Sequence, residues 1–274
     1  MIRQQQLTLK TSVSVQGVGL HTGEECVMTL RPGVPDSGIV FVTPGGEIPA
    51  AAENVCSTDR STDLSAGNAE VRTVEHILAA LAGMAINNAR VDIEGPEIPA
   101  GDGSALPFVG MIEEAGIEVQ PGEARTVRLA RPVWATDSDK YLLAVPAEKL
   151  KVTAFILFQH PLIGEQAVSV YVDRETFMRE IAPARTFSTG DEIETLLSRG
   201  LGKGGTEENV VVVYRDRCST PLRFPDEFVR HKVLDTIGDL SLAGCKLGAD
   251  VTSIKAGHAL NIALVREILG RSFD

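Results

Sequence analysis

The interpretation of this sequence depends on residues 228–240, FVRHKVLDTIGDL. On an α-helix, which advances about 100° per residue, the apolar side chains of this stretch form one stripe: Val229, Val233, Ile237 and Leu240. The opposite side carries His231, Asp235 and Asp239, at positions i, i+4 and i+8, together with Gly238. Glycine in a helix costs about 1 kcal/mol relative to alanine. These polar side chains either act as ligands or face solvent. The rest of the sequence is needed to distinguish the two.

The chain has 274 residues, enough for one large domain or two of average size. Hydrophobic residues make up 43% and charged residues 23%, as is typical of a soluble globular protein. The formal net charge of −11 argues against general electrostatic attraction to nucleic acid or to anionic membranes. An anionic small substrate would therefore need a local cluster of Lys and Arg.

The cysteines are scattered and show no C-x-x-C spacing: Cys26, Cys56, Cys218 and Cys245. This pattern disfavours a disulfide framework and a cysteine-ligated zinc, and it favours reduced thiols. Residues 1–10 contain no apolar core of signal-peptide length, and no stretch is long enough to span a membrane. We therefore expect a cytoplasmic protein.

Apolar periodicity and turn residues predict the elements of the first half. In order, they are strands within residues 1–45 around a glycine-rich turn at 17–23, a polar, turn-rich excursion at 44–70, a helix at 73–82 with Gly83 as its C′ residue, a strand at 90–94, a loop at 96–104, a helix at about 107–116 and a linker at 121–123.

The second half is predicted to begin with a meander of consecutive strands and to continue with helices. The predicted strands lie at 126–129, 133–135, 141–145, 152–158, 166–172, 210–214 and 251–254. The predicted helices lie at 174–181, 192–199, 226–243 and 259–268.

The two halves show a faint repeat. Val74-Glu75-His76 and Val229-Arg230-His231 each head a helix that is followed by Leu-Ala-Gly and then by a strand. This order favours two similar α+β domains, at residues 1–122 and 123–274.

Each half offers a histidine on a helix face away from the apolar stripe. In the first helix that stripe is Val74, Ile77, Leu78 and Leu81. His76 projects to the other side, among neighbours small enough for another backbone to approach. If the two helix faces pack together, His76 meets His231 and Asp235. Two imidazoles and one carboxylate suit a catalytic zinc, and the i, i+4 spacing lets His231 and Asp235 reach one ion. Asp239, one turn further, could orient a neighbouring group.

Each of these signals also has an ordinary explanation. His231 and Asp235 could form a surface pair that contributes about 0.3–0.5 kcal/mol, and His76 could be solvated. Glu75 could be a general base or an exposed first-turn glutamate. His258 could be a general acid or a helix-start residue. The sequence has no H-E-x-x-H motif, so spacing alone leaves the metal site open.

Residues 200–206, GLGKGGT, look superficially like a phosphate-binding loop. They lack the Ser or Thr that follows the lysine of a P-loop, and we predict a flexible turn. His21 and His160 adjoin turns and are assigned structural roles.

With these residues assembled, the sequence resembles the bacterial UDP-3-O-acyl-N-acetylglucosamine deacetylases, zinc amidases of lipid A biosynthesis. The matching runs follow the family's order across nearly the whole chain: GVGLHTG at 17–23, TVEH at 73–76, EIP at 97–99, DGS at 102–104, ARTF at 184–187, DEFVRHK at 226–232 with DL at 239–240, and GHAL at 257–260. The resemblance implies hydrolysis of the N-acetyl group of UDP-3-O-acyl-N-acetylglucosamine, with release of acetate, as the committed step of lipid A biosynthesis. It also implies that the two domains are two-layer α/β sandwiches packed helix layer against helix layer, with inserts at about 45–70 and 187–214.

The resemblance assigns a role to each matching residue. It implies Zn²⁺ ligands at His76, His231 and Asp235. Glu75 resembles the general base, and His258, positioned by Asp239, resembles the charged group that stabilises the oxyanion and protonates the leaving amine. Thr186 resembles the hydrogen-bond donor to the oxyanion, and Lys232 a lysine that contacts the substrate.

The resemblance also implies contacts with an acylated UDP-sugar. Lys140 and Phe158 match contacts to the nucleotide, and Phe187 belongs to a matching run. The second insert is expected to line an apolar passage for the acyl chain with Ile193, Leu197 and Leu201. Thr189 stands where some members have an aromatic residue, which leaves the preferred acyl length open. The expected protein is a monomer that binds a small-molecule substrate and no nucleic acid.

Two other kinds of function compete with this one. A nucleotide-sugar binding or phosphoryl-transfer protein would use the glycine-rich loops, with the histidines incidental. A non-catalytic α+β scaffold would use neither the glycine-rich loops nor the histidines for binding or catalysis. Dependence of activity on a bound metal distinguishes the deacetylase from both.

Overall fold

The computed structural model describes residues 5–270. Residues 1–4 and 271–274 lie outside the described part, and with them the outer ends of both predicted domains and the first residues of the predicted N-terminal strands. The described part combines helices with β-sheets, so the predicted α+β class is confirmed. Within it, no helix is long and apolar enough to cross a membrane.

Ten strands and two helices form the first half of the described chain. They are β1 (Gln5–Leu9), β2 (Val13–Val18), β3 (Glu25–Pro32), β4 (Ile39–Thr43), β5 (Gly46–Pro49), β6 (Val55–Ser57), β7 (Asp63–Ala66), β8 (Ala69–Val71), α1 (Glu75–Gly83), β9 (Ala89–Glu94), α2 (Leu106–Ala115) and β10 (Ile117–Glu123), with a 3₁₀ turn at Ala52–Asn54.

The main sheet of this half has five strands in the order β2-β3-β9-β4-β5. Alternate side chains of β3 and β9 are buried, among them Met28, Leu30, Val91 and Ile93, as expected when one face of a sheet contributes to the core. A separate three-stranded sheet, β6-β7-β8, comes from residues 55–71. The predicted polar excursion at 44–70 therefore contains regular strands.

Eight strands and four helices form the second half of the described chain, up to residue 270. They are β11 (Thr126–Arg128), β12 (Val133–Asp137), β13 (Lys140–Pro146), β14 (Lys151–Leu157), β15 (Glu165–Tyr171), α3 (Arg174–Thr176), β16 (Phe187–Thr189), α4 (Gly190–Ser198), β17 (Val211–Val213), α5 (Glu227–Ser241), β18 (Lys246–Ile254) and α6 (His258–Gly270), with a π-helical turn at Phe177–Ile181 after α3.

The predicted meander is wrong in one respect. The order of strands along the sheet is β12-β13-β18-β14-β15, with β11 beside β18, so β18 separates the consecutive strands β13 and β14. β18 runs antiparallel to β13 and parallel to β14. Most of its side chains are buried, as expected for a central strand, but its partners lie about a hundred residues upstream and leave no local signal.

The predicted linker at residues 121–123 is also wrong. Pro121 and Gly122 belong to β10, which pairs with β1 in a two-stranded antiparallel sheet. Pro is accepted there because the register shifts at this point: Gln6 pairs with Gln120 and Gln5 with Glu123, so Pro121 lies in a bulge and needs no ladder donor.

Gly83 does not act as the predicted C′ residue, since it is the last residue of α1. A Cβ atom at Gly83 would lie 2.2 Å from Cγ of Phe177, a buried ring of the π-helical turn. This glycine is therefore required by packing between the two halves.

Helices α1 and α5 pack directly against each other, and this contact brings together the two predicted histidine faces. A Cβ atom at Gly238 of α5 would lie 2.1 Å from the backbone oxygen of Glu75 at the start of α1. Only glycine permits this approach. The polar side of α5 is consequently buried rather than solvated: His231, Asp235 and Asp239 are at most 2% exposed.

We expect Gly238→Ala to disrupt the α1–α5 contact, because the new methyl group would overlap backbone rather than a mobile side chain. Overpacking of this kind costs about 1–3 kcal/mol. The free energy of unfolding, measured by urea denaturation, should fall by at least that amount. The matched control is Gly110→Ala in α2, where a Cβ atom meets nothing within 4 Å and the substitution should be neutral or stabilising. Equal stability of the two variants would contradict this account of the contact.

Candidate active site and metal centre

The start of α1 is held in a strained backbone conformation. Thr73, two residues before the helix, has a φ of +59°, which is unusual for a β-branched residue. Its amide donates to Asp63 Oδ1 (3.1 Å) and its hydroxyl to Glu97 Oε1 (2.6 Å). These buried bonds fix the direction in which Glu75 and His76 leave the turn.

His76 meets two residues of α5, His231 and Asp235. Nε2 of His76 lies 3.7 Å from Asp235 Oδ1, and Nε2 of His231 lies 3.3 Å from the same oxygen. One potential ligand atom from each of the three residues lies within 4.8 Å of the others. All three side chains are buried.

The environment of His231 keeps its Nε2 free to bind an ion. Nδ1–H donates to the backbone oxygen of Ala184 (3.1 Å), which leaves Nε2 as the unprotonated nitrogen of a neutral ring. Burial lowers the pKa of His231 to about 3, so the ring is neutral near pH 7. Ala184 is held by its neighbour Arg185, whose backbone N–H (3.0 Å) and guanidinium (Nε, 2.8 Å) both donate to the fully buried Glu227.

Asp235 has one oxygen bound and one without a partner. Oδ2 accepts from Lys232 Nζ (2.8 Å). Oδ1 has no hydrogen-bond partner among residues 5–270, although it is fully buried. Burial opposes ionisation, but neighbouring side chains, among them the Lys232 ammonium, outweigh it and hold the pKa of this carboxyl well below its usual range. A buried, ionised oxygen without a partner is costly in an apolar environment.

These observations fit a bound divalent metal. The cluster offers two ring nitrogens, at least one on a neutral ring, and one carboxylate oxygen, all converging on one place, and the unsatisfied oxygen of Asp235 gains a partner if a cation binds there. His76, His231 and Asp235 are therefore the residues that could hold a metal ion.

Glu75 lies beside this cluster on the cavity wall. Its Oε2 accepts from the backbone N–H of Thr62 (3.0 Å). Burial raises the pKa of Glu75 to about 7, despite the opposing influence of His258 and His76. A carboxyl group with a pKa near neutrality can take up a proton and give it back at working pH.

His258 lies at the start of α6, across the cavity, with Nε2 4.0 Å from Asp235 Oδ2. Its Nδ1 bonds to Asp239 Oδ2 (2.9 Å), and that oxygen also accepts from Asn261 Nδ2 (2.8 Å). Burial disfavours the imidazolium, but Asp239 outweighs it, with help from Asp235 and Glu75, and raises the pKa of His258 to about 10. His258 is therefore a cation near pH 7.

Thr186 and Phe187 follow the Ala184–Arg185 segment on the same side of the cavity. The Thr186 N–H donates to Gly103 O (2.8 Å), and its side chain lines the cavity. The Phe187 ring lies 5.5 Å from that of Phe158 and 5.7 Å from Lys232 Nζ. The structure thus brings Phe158, Phe187 and Lys232 together.

A cavity of about 870 Å³ extends from these groups to Arg60 and to helix α4. Of the predicted substrate contacts, the residues on its wall are Lys140, Phe158, Phe187, Ile193 and Leu197. Leu201 is not on the wall, whereas Leu196, which was not predicted, is. Arg60 Nη2 contacts Glu192 Oε1 of α4 (2.9 Å), which links α4 to the segment between β6 and β7.

The predicted loop at 200–206 packs against the glycine-rich turn at 17–23. Gly204 N–H donates to Leu20 O (3.0 Å), and a Cβ atom at Gly204 would lie 2.2 Å from Gly19 O. His21 of this turn was assigned a structural role, yet it also lines the cavity, and burial lowers its pKa.

Two residues of the polar network were missed by the sequence interpretation. Thr62 bonds to both Glu75 and Asp239, but in the sequence it was only part of a turn signal. Asn261 bonds to Asp239, and its i, i+3 spacing from His258 on one helix was a signal that could have identified it.

Comparison with known proteins identifies the family. The sequence profile of the UDP-3-O-acyl N-acetylglycosamine deacetylase family matches residues 6–270. Proteins named UDP-3-O-acyl-N-acetylglucosamine deacetylase are similar along nearly the whole chain. The one from Anaeromyxobacter dehalogenans is 46% identical over 268 residues, covering 96% of this chain and 87% of its own. The one from Chlamydia felis is 44% identical over 275 residues, covering 98% of both chains.

Both the match over nearly all described residues and the identity to these relatives confirm the family that the sequence motifs predicted. This chain belongs to the UDP-3-O-acyl N-acetylglycosamine deacetylase family.

Proposed function

We propose that this protein is a metal-dependent amidohydrolase that removes the N-acetyl group of UDP-3-O-acyl-N-acetylglucosamine and releases acetate, as a step of lipid A biosynthesis. Membership of the family and the names of its relatives support this substrate. The observation that carries the proposal is the convergence of His76, His231 and Asp235, with the unsatisfied Asp235 Oδ1, beside Glu75 in the cavity wall.

The metal we propose is Zn²⁺. Catalytic zinc sites commonly use three protein ligands drawn from histidine and carboxylate side chains. When bound, zinc would lower the pKa of a water molecule and polarise the amide carbonyl. The neutral His231 ring and the ionised Asp235 are already in the protonation states that metal binding requires.

Glu75 is proposed as the general base. Its carboxyl group lies on the cavity wall and is not one of the three convergent ligand residues. In its ionised form it would take the proton of a water molecule that attacks the acetamide carbon. Its N–H partner, Thr62, holds Oε2 in place.

His258 is proposed as the acid and as an oxyanion stabiliser. Its positive charge, maintained by Asp239, favours the negative charge that develops on the carbonyl oxygen in the transition state. Thr186 lies on the cavity wall and is proposed to donate a hydrogen bond to the same oxygen. His258 or Glu75 then supplies the proton to the amine, and acetate leaves.

The proposed substrate contacts follow the character of the cavity wall. Lys140 and Lys232 supply positive charge for the diphosphate against a net charge of −11. Phe158 and Phe187 provide an aromatic surface near the nucleotide and sugar. Ile193 and Leu197 provide apolar surface for the acyl chain, and Leu201 is proposed to contact it further out.

We further propose two domains, at residues 1–122 and 123–274, with inserts at about 45–70 and 187–214. The presence of one main sheet in each half supports this division. We also propose that the protein is a monomer and that it is located in the cytoplasm.

Removal of the metal should abolish acetate release. Purified protein dialysed against a chelator is expected to lose activity towards UDP-3-O-acyl-N-acetylglucosamine, and addition of Zn²⁺ should restore it. Acetate release and metal content are measured on the same samples. Full activity in metal-free protein would contradict the proposed chemistry.

Substitutions at Glu75 and His76 should separate catalysis from metal binding. Glu75→Gln should retain zinc and lose about 10²–10⁴-fold in kcat, the usual contribution of a general base. His76→Ala should lose the metal itself because one of three ligands is gone. Zinc content by atomic spectroscopy and kcat for both variants test the assignment, which is wrong if Glu75→Gln turns over normally.

The pH dependence of kcat/KM should be bell-shaped. Glu75 must be ionised to accept a proton, so activity rises as the pH passes its pKa of about 7. His258 must be protonated, so activity falls as the pH passes its pKa of about 10. In His258→Gln the fall at high pH should disappear from the residual activity. An unchanged alkaline limb in that variant would show that another group titrates there.

A further inference from the structure

We propose that Thr62 is a positioning residue that holds the proposed base, Glu75, and the proposed acid, His258, at a fixed separation. This inference rests on the proposed function. It assigns a role in the reaction to a residue from the segment between β6 and β7, which by sequence is an ordinary polar turn.

Thr62 bonds to groups from all the helices that carry the proton-transfer residues. It is fully buried. Its backbone N–H donates to Glu75 Oε2 of α1 (3.0 Å), and its hydroxyl donates to Asp239 Oδ1 of α5 (2.6 Å). The same hydroxyl oxygen lies 3.3 Å from Nδ1 of His258 on α6. One residue therefore contacts α1, α5 and α6 at the points where the base and the acid are anchored.

The hydroxyl bond controls the orientation of the Asp239 carboxylate. Oδ2 of Asp239 accepts from His258 and Asn261, whereas Oδ1 accepts from Thr62. Without the Thr62 hydroxyl, Oδ1 would lose that donor and the carboxylate would be free to turn. Because His258 depends on the other oxygen of this carboxylate, turning it would move the imidazole relative to the cavity.

Thr62 is itself fixed to the start of α1. Its carbonyl oxygen accepts from Val74 N–H (3.0 Å). The neighbouring Asp63 accepts from the Ser61 hydroxyl (2.8 Å) and from Thr73 N–H (3.1 Å) through Oδ1. The Thr62 backbone is thus fixed relative to Glu75. Its hydroxyl, through the hydrogen bond to Asp239, fixes Asp239 and His258 relative to Glu75 as well.

Thr62 is not on the cavity wall, so it acts through these partners rather than on the substrate. This predicts a specific kinetic signature. Loss of the hydroxyl should reduce kcat, while KM and bound zinc should stay close to the wild-type values, because the metal ligands and the substrate contacts are separate from Thr62.

The test compares Thr62→Val, which removes the hydroxyl and keeps the shape, with Thr62→Ser, which keeps the hydroxyl. Both variants retain the hydrogen bond from the backbone N–H of residue 62 to Glu75 Oε2. We expect kcat of Thr62→Val to fall about 10–100-fold, as for a lost hydrogen bond to a charged group. KM and zinc content should change by less than about twofold, and Thr62→Ser should stay within about threefold of wild-type kcat.

The matched control is Thr8→Val. Thr8 is also buried, and its hydroxyl donates to Asn88 O (2.7 Å) and accepts from Gly33 N–H (2.9 Å), far from the site in β1. It should lose stability and keep wild-type kcat. Thr62→Ala, which lacks the hydroxyl in a smaller side chain, is measured as well. If the valine variant folds poorly, the alanine variant should show the same loss of about 10–100-fold in kcat.

A double-mutant cycle identifies the route of the effect. If Thr62 acts through Asp239 and His258, adding Thr62→Val to His258→Gln should lower kcat by less than about twofold further. Wild-type kcat in Thr62→Val, an equal loss in Thr62→Ser, or fully multiplicative losses in the double variant would each overturn the positioning role. Absence of acetate release by the wild-type protein would overturn the proposed function, and the positioning role with it.

Discussion

The close approach of α1 and α5 at Gly238 is the contact on which the rest of the site depends. The absence of a side chain there lets the Glu75 carbonyl sit against the α5 backbone. That distance places His76 opposite His231 and Asp235. The glycine lowers the stability of helix α5 by about 1 kcal/mol relative to alanine, but it allows the backbones of α1 and α5 to come into contact.

Burial of ionisable groups is the main consequence of this packing. Both helix faces are shielded from bulk solvent, so each charged group depends on a nearby partner. Asp239 supports the charge on His258, Lys232 supports that on Asp235, and Glu75 is left with a raised pKa. One environment thus yields a neutral imidazole at His231 and a cationic one at His258, which suits the first to metal binding and the second to charge stabilisation.

Two segments outside the main sheets complete the site. In the segment between β6 and β7, Thr62 holds Glu75 and Asp239 through buried hydrogen bonds. Helix α4 contributes apolar side chains to the cavity wall, and the Arg60–Glu192 ion pair connects the two segments at the surface. Exposed ion pairs of this kind contribute little to stability, so Arg60–Glu192 adds little to the stability of the fold.

The sequence by itself determined the α+β class, the bounds of most helices and the helix faces that carry His76, His231, Asp235 and Asp239. These follow from local spacing, because a helix repeats every 3.6 residues wherever it lies. Only the tertiary structure decided that β18 separates β13 from β14, that Leu201 lies away from the cavity wall, and that Thr62 bonds to Asp239. The last two residues are 177 positions apart, and contacts at that separation depend on how the two halves pack, which no local period encodes.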